Sequence, residues 1–225
     1  MLEQQEPRTG DAPPASELTE HWSWRPEWTS ERRSWWWYVT FEHDAAVHWS
    51  AERARAVLQP RGPVHVVPPR WLHLSLAEVG YVAEVPRRAA YDAARTAQAC
   101  LADIAPLCLD VGPISTMPGA VVLRVRGQGL DELQERLVSA LADDLPHRPV
   151  QRPFDPHVSV AYISKDCRSL DVLAEVRGGL PTVTTGLNHV SLVEVVRDER
   201  HYRWTPRCRV SLSGHRPARH LQVVG

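Results

Sequence analysis

Eleven histidines are spread over the 225 residues, and five of them open a His-x-Ser tripeptide, at His21, His48, His73, His157 and His189. Random placement of the same residues predicts about one such tripeptide. Histidine suits proton transfer because its ordinary pKa lies close to neutrality. A serine hydroxyl two residues on can donate a hydrogen bond to an anionic oxygen. On a strand, residues i and i+2 share a face; on a helix they point roughly 200° apart. The local setting therefore sorts the five. His21-Trp22-Ser23 lies in a polar segment with no evident rigid element, and a catalytic pair needs firm positioning. His48-Trp49-Ser50 opens an expected helix, with Ser50 as a candidate N-cap. The other three sit at expected strand starts. His189-Val190-Ser191 has no counterpart in the first half. His73-Leu-Ser-Leu-Ala77 and His157-Val-Ser-Val-Ala161 match in pattern at every position, 84 residues apart.

Two such pairs facing one cleft are suited to a phosphodiester beside a ribose hydroxyl. One imidazole takes a proton from the attacking oxygen, and the other gives one to the leaving oxygen. Ser75 and Ser159 would hold the non-bridging phosphate oxygens from opposite sides and stabilise the growing charge. Arg124 and Arg126, alternating on one expected strand, either flank that phosphate or form a solvated face. Tyr162 is a candidate ligand contact, with core packing as the simpler reading. The alternative for the two motifs is a pair of solvent-facing strand starts that happen to match.

The elements that must position these residues follow from periodicity. Ser34–Phe41 is aromatic and β-branched, hence a strand. Asp44–Leu58 has helical spacing, Val64–Val67 is a short apolar run, and Trp71–Val79 alternates as a strand. Pro86–Ile104 is an alanine-rich helix. Leu107–Thr116 and Ala120–Arg126 are strands turning at Pro118-Gly119. Leu130–Leu145 is an amphipathic helix with Leu130, Leu133, Leu137 and Leu141 on one face. His157–Ile163 is a strand, Ser169–Val176 a short helix, and Val190–Val196 and Tyr202–Leu212 two more strands. This is an α+β chain whose halves each hold a motif-bearing strand followed by a helix, which suggests two related lobes facing one another.

The paired motifs resemble the two-histidine (2H) phosphoesterase superfamily, which includes 2′-5′ RNA ligase-like proteins and cyclic phosphodiesterases. The resemblance runs from about Trp35 to Leu212. It rests on Trp71-Leu72-His73-Leu74-Ser75-Leu76 and on Pro156-His157-Val158-Ser159-Val160-Ala161-Tyr162, with the proline before the second histidine and an opening strand, Tyr38–Phe41. It implies two pseudo-symmetric lobes with antiparallel sheets flanking a central cleft and helices on the outside. It also implies general acid/base roles for His73 and His157 and phosphate-binding roles for Ser75 and Ser159; the two-histidine chemistry itself requires no metal, and with no H-E-x-x-H or comparable ligand run in the sequence, no cofactor is expected. His189 falls outside the motif. The tryptophan-rich stretch through Trp35, Trp36 and Trp37 departs from the family pattern; the tryptophans are expected to pack rather than to stack a nucleobase.

Composition narrows the classes. Net charge is −1. Residues 1–33 hold seven acids and four arginines, leaving 22 basic against 20 acidic groups in the rest. That balance argues against coating long nucleic acid and is compatible with a small nucleotide or an RNA end. Residues 1–33 are expected as a polar tail, unless Trp22, Trp24 and Trp28 dock it; 34–214 form the two-lobed domain and 215–225 a second tail. Neither a membrane span nor a signal peptide is expected, so a cytoplasmic monomer with reduced cysteines is the default. The leading expectation is a metal-independent phosphodiesterase, acting on 2′,3′-cyclic phosphates or 2′-5′ linkages. The alternatives are a 2′-5′ RNA ligase running the chemistry backwards, a non-catalytic binder of nucleotides or RNA ends, and a metal-dependent hydrolase.

Overall fold

The computed structural model describes residues 17–24, 28–58, 63–145, 153–168, 180–198, 200–214 and 222–223. Segments rich in β-branched and aromatic residues build the strands, and all the pairings between them are antiparallel. In chain order they are β1 (Glu17–Leu18), β2 (Arg33–Thr40), β3 (Val64–Val66), β4 (His73–Tyr81), β5 (Leu107–Met117), β6 (Ala120–Arg126), β7 (His157–Ile163), β8 (Cys167–Arg168), β9 (Val183–Leu187), β10 (His189–Arg197), β11 (Tyr202–Ser211) and β12 (Gln222–Val223). The main sheet runs β12-β11-β10-β2-β4-β7-β6-β5-β9, with β3 added on β7. The first lobe is centred on β4 and the second on β7. They join where Leu74 pairs with Val158. Beyond that point β3 takes over the edge of β7, pairing Val66 with Ala161 and Val64 with Ile163. The sheet splays there, and the splay opens the cleft.

Three described helices cover the sheet: α1 (Ala45–Leu58), α2 (Arg87–Cys100) and α3 (Leu130–Asp144). Helix α1 packs on β7 and β9, α2 on β11, and α3 on β4 and α2. The helix faces are those the periodicity predicts. Leu130, Leu133, Leu137 and Leu141 are all buried on α3, and Ala90, Ala93, Ala94 and Ala97 give α2 a small, closely packed face. Ser50 is not the cap of α1. It is buried within the helix, and the Asp44 carboxylate accepts the Val47 N–H at 2.9 Å instead.

Strand β2 separates its aromatics by parity. Trp35, Trp37 and Val39 are buried on one face, while Trp36 and Tyr38 face the cleft. Trp35 donates its indole N–H to the Val85 carbonyl at 3.0 Å. Trp37 is fully buried, and its indole nitrogen has no partner among the described residues. Trp37→Ala is therefore expected to cost about 3–5 kcal/mol in urea unfolding, from lost burial plus the cavity left behind. Trp37→Phe, which also removes an unpartnered N–H, should cost distinctly less.

The described part of the segment read as a tail packs on the domain: β1 pairs with β8, and Leu18 and Trp28 are buried. At the other end Gln222 and Val223 pair with β11. Strand β9, Val-Thr-Thr-Gly-Leu, is an addition to the expected elements, because its polar alternation reads as a loop; it forms an edge strand on β5. The helix expected at Ser169–Val176 lies outside the described residues. Among the described residues, no helix is long and apolar enough to cross a membrane.

Candidate active site

His73 opens β4 and His157 opens β7. The pairing of Leu74 with Val158 sets these strand starts side by side, and the antiparallel sense directs each histidine toward the other motif's serine. Both strands carry a bulge at the same place. Tyr38 pairs with Ser75 and Trp37 with Ala77, so Leu76 is the extra residue. Val122 pairs with Ser159 and Val121 with Ala161, so Val160 is the extra residue. A bulge re-aims the following side chains. It brings Glu78 and Tyr162, each three residues past its serine, onto the cleft face.

The two histidines are held alike. The His73 Nδ1–H donates to the Trp71 carbonyl at 2.8 Å, and the His157 Nδ1–H donates to the Asp155 carbonyl at 2.6 Å. Because a carbonyl only accepts, the proton of each neutral ring sits on Nδ1, and Nε2 is left with a lone pair. The Trp71 carbonyl also accepts the Trp204 indole N–H at 3.2 Å. Asp155 is fixed from beneath: its carboxylate takes two bonds from Arg124 Nη1, at 2.7 and 2.8 Å. Arg124 is buried and neither it nor Arg126 lines the cavity, so the arginine works as a brace under His157.

The serines have a matching arrangement. Tyr38 hydrogen-bonds Ser75, and Tyr162 hydrogen-bonds Ser159. Burial raises both phenol pKa values, so each phenol stays protonated, and its hydrogen bond holds the serine hydroxyl beside it in place. Both serines line the cleft. Tyr38 also stacks on His73, with centroids 4.1 Å apart and an interplanar angle of 12°. Thus His73, Ser75, His157, Ser159 and Tyr162 all line one cavity of about 400 Å³. No Arg or Lys lines it among the described residues. Its polar lining combines the hydroxyls and imidazoles with the carboxyl-bearing residues Glu78 and Asp155. Three residues unforeseen from sequence complete the wall: Trp28, Trp36 and His21. His189 does not line it; its Nδ1 bonds Asn188 Oδ1 at 2.6 Å. Among the described residues, no group of three His, Cys, Asp or Glu side chains could hold a metal ion.

Burial lowers the pKa of all three cleft histidines. His73 falls to about 4, with the field of His157 adding to the effect. His157 is lowered by burial, partly offset by its bond to the Asp155 carbonyl. His21 falls to about 3. Neutral in the fold, these rings bind fewer protons than in the unfolded chain, where the pKa is near 6.5. Their contribution to stability is present above that pH and is lost as pH falls toward 4. The melting temperature is expected to decline from an onset near pH 6.5, before carboxylates begin to titrate. A flat profile between pH 7 and 5 would contradict the burial.

The sequence pattern of the 2′-5′ RNA ligase superfamily matches residues 41–199. The chain belongs to that superfamily. Solved structures agree on the fold. This superfamily member is similar to TT0787 of Thermus thermophilus, at 19% identity and TM-score 0.59, over 80% of this chain and 97% of that one. Its likeness to apo LigT of E. coli has 17% identity and TM-score 0.60, covering 81% and 98%. A structure described as a phosphoesterase gives 19% identity and TM-score 0.63, covering 80% and 99%. No curated protein matches the chain in sequence. Residues 17–40, which include His21, Trp28, Trp36 and Tyr38, precede the matched superfamily region.

Proposed function

We propose that this superfamily member is a metal-independent phosphodiesterase acting on 2′,3′-cyclic phosphates or 2′-5′ linkages of nucleotides or RNA ends. The observation that carries the reading is the twofold repetition of one device. Each histidine is fixed through Nδ1 to a backbone carbonyl, with Nε2 directed to a shared cleft and a phenol-braced serine beside it. With a cyclic phosphate between the motifs, a water oxygen attacks phosphorus while one Nε2 takes its proton. The bond from phosphorus to a ribose oxygen breaks, and the other Nε2–H protonates that oxygen. The product is a nucleoside monophosphate, and solvent exchange resets the two rings. Binding the anion raises the pKa of a neighbouring imidazole, which supplies the protonated partner that burial alone disfavours. E. coli LigT has been solved with 3′-AMP, ATP and NADP+, which supports a small nucleotide as ligand. With a ribose 5′-hydroxyl attacking phosphorus in place of water and the 3′-oxygen leaving, the same two proton transfers would join a 2′-5′ linkage, as the superfamily's name suggests.

The test is turnover of the four nucleoside 2′,3′-cyclic monophosphates and of 2′-5′-linked diadenylate in excess EDTA. Conversion to a monophosphate in chelator is the expected result. Absence of turnover with every substrate, or a requirement for added metal, would overturn the proposal.

A further inference from the structure

The segment through His21 bridges the two lobes beside the second motif. Its His21 ring bonds the Gly119 carbonyl in the β5–β6 turn of the second lobe. That bond occupies Nδ1–H, so Nε2 accepts the Tyr202 hydroxyl of the first lobe, at 3.0 Å. The ring lies over Tyr162, with centroids 4.2 Å apart, and close enough to His157 for that ring to depress its basicity. With both nitrogens engaged, His21 is a fixed neutral wall. The backbone on either side is fastened too. The Thr19 N–H donates to the Pro118 carbonyl at 2.6 Å, the Glu20 N–H donates to Asp166 at 2.8 Å, and Arg197 grips the Trp22 and Trp28 carbonyls, both at 2.7 Å. Gly119 is required by this closeness: a Cβ there would stand 2.9 Å from His21 Nδ1 and 3.2 Å from its Cα.

We infer that the strap Glu17–Trp24, pinned by His21, occupies the space past His157 that a second nucleoside would need, and so selects 2′,3′-cyclic phosphates over linkages with a nucleoside on each side of the phosphate. The inference rests on the phosphodiesterase reading of the cleft. A cavity of about 400 Å³ is at the low end of the ~300–1,000 Å³ typical of small-ligand sites, which suits one nucleotide. With the strap on the His157 side, the nucleoside is left the side walled by Trp28, Trp36 and Tyr38.

The test compares wild type, Gly119→Ala and His21→Ala. Gly119→Ala forces the ring away without removing any polar side chain; His21→Ala deletes the ring. Kinetically, kcat/KM is measured for adenosine 2′,3′-cyclic monophosphate and for 2′-5′-linked diadenylate. In parallel, calorimetry reads binding of 3′-AMP and of the hydrolysis-resistant phosphorothioate diadenylate. Wild type should favour the mononucleotide at least tenfold in each comparison, and either variant should shrink that ratio at least tenfold. Equal binding of the two ligands to wild type would overturn the inference, as would an unchanged ratio in both variants with melting temperatures retained. Binding ratios that shift as expected without turnover of any substrate would uphold the strap and sink the phosphodiesterase reading.

Discussion

His73→Ala and His157→Ala are each expected to lower kcat/KM for a nucleoside 2′,3′-cyclic monophosphate by about 10²–10⁴-fold, the usual contribution of one positioned general acid or base. The double variant should be little worse than the poorer single one, because groups that act in one transition state lose their effect together. Binding of 3′-AMP should survive within a few-fold, since the serine hydroxyls and the aromatic wall remain. His157→Gln is a further control: it keeps a polar side chain above the Asp155 carbonyl but cannot transfer a proton, and should be as inactive as His157→Ala. Activity within tenfold of wild type in either alanine variant would remove that histidine from the chemistry.

Ser75→Ala and Ser159→Ala should each lower kcat by about 10²-fold, the order seen when one preorganised donor to a developing oxyanion is removed. KM should move less, because the charge on the phosphate oxygens grows most in the transition state. Tyr38→Phe and Tyr162→Phe separate a direct from an indirect role. Each removes only the phenol that fixes a serine rotor, so each should cost less than the corresponding serine change and add little to it in the double variant. Steady-state kinetics on the four singles and the two Tyr/Ser doubles checks this. Additive losses within a pair would mean that the phenol contacts the substrate by itself.

Much of the site is legible in the sequence because the strand period is two. His73 with Ser75 and His157 with Ser159 share a face whatever the rest of the chain does, and the matched pentapeptides point to one cleft. The helices are legible for the same kind of reason: the leucine spacing of α3 and the alanine face of α2 follow from a period of 3.6. The bulges at Leu76 and Val160 are not legible, because register depends on the partner strands β2 and β6. They decide that Tyr162 and Glu78 join the cleft. The brace from Arg124 to Asp155 is likewise a contact between residues 31 apart. His21 escapes a reading by pattern because its segment is polar and lacks periodicity. What holds it is wholly tertiary: the Gly119 carbonyl, the Tyr202 hydroxyl and Arg197. The aromatic cluster at Trp22, Trp24 and Trp28, unusual for a solvated tail, is the one signal in the sequence that leads there.

In the proposed mechanism two cleft imidazoles exchange protons with the substrate without a metal. The most direct measurement is the pH dependence of kcat/KM for a nucleoside 2′,3′-cyclic monophosphate in excess EDTA. This quantity reports the ionisations of the free enzyme. Since burial lowers both histidine pKa values, to about 4 for His73, the expected profile is a bell with its maximum on the acid side of pH 6.5, with a kcat maximum shifted to higher pH once the anion is bound. A rate that climbs steadily from pH 5 to 9, or that vanishes in EDTA and returns with a divalent metal, would contradict it.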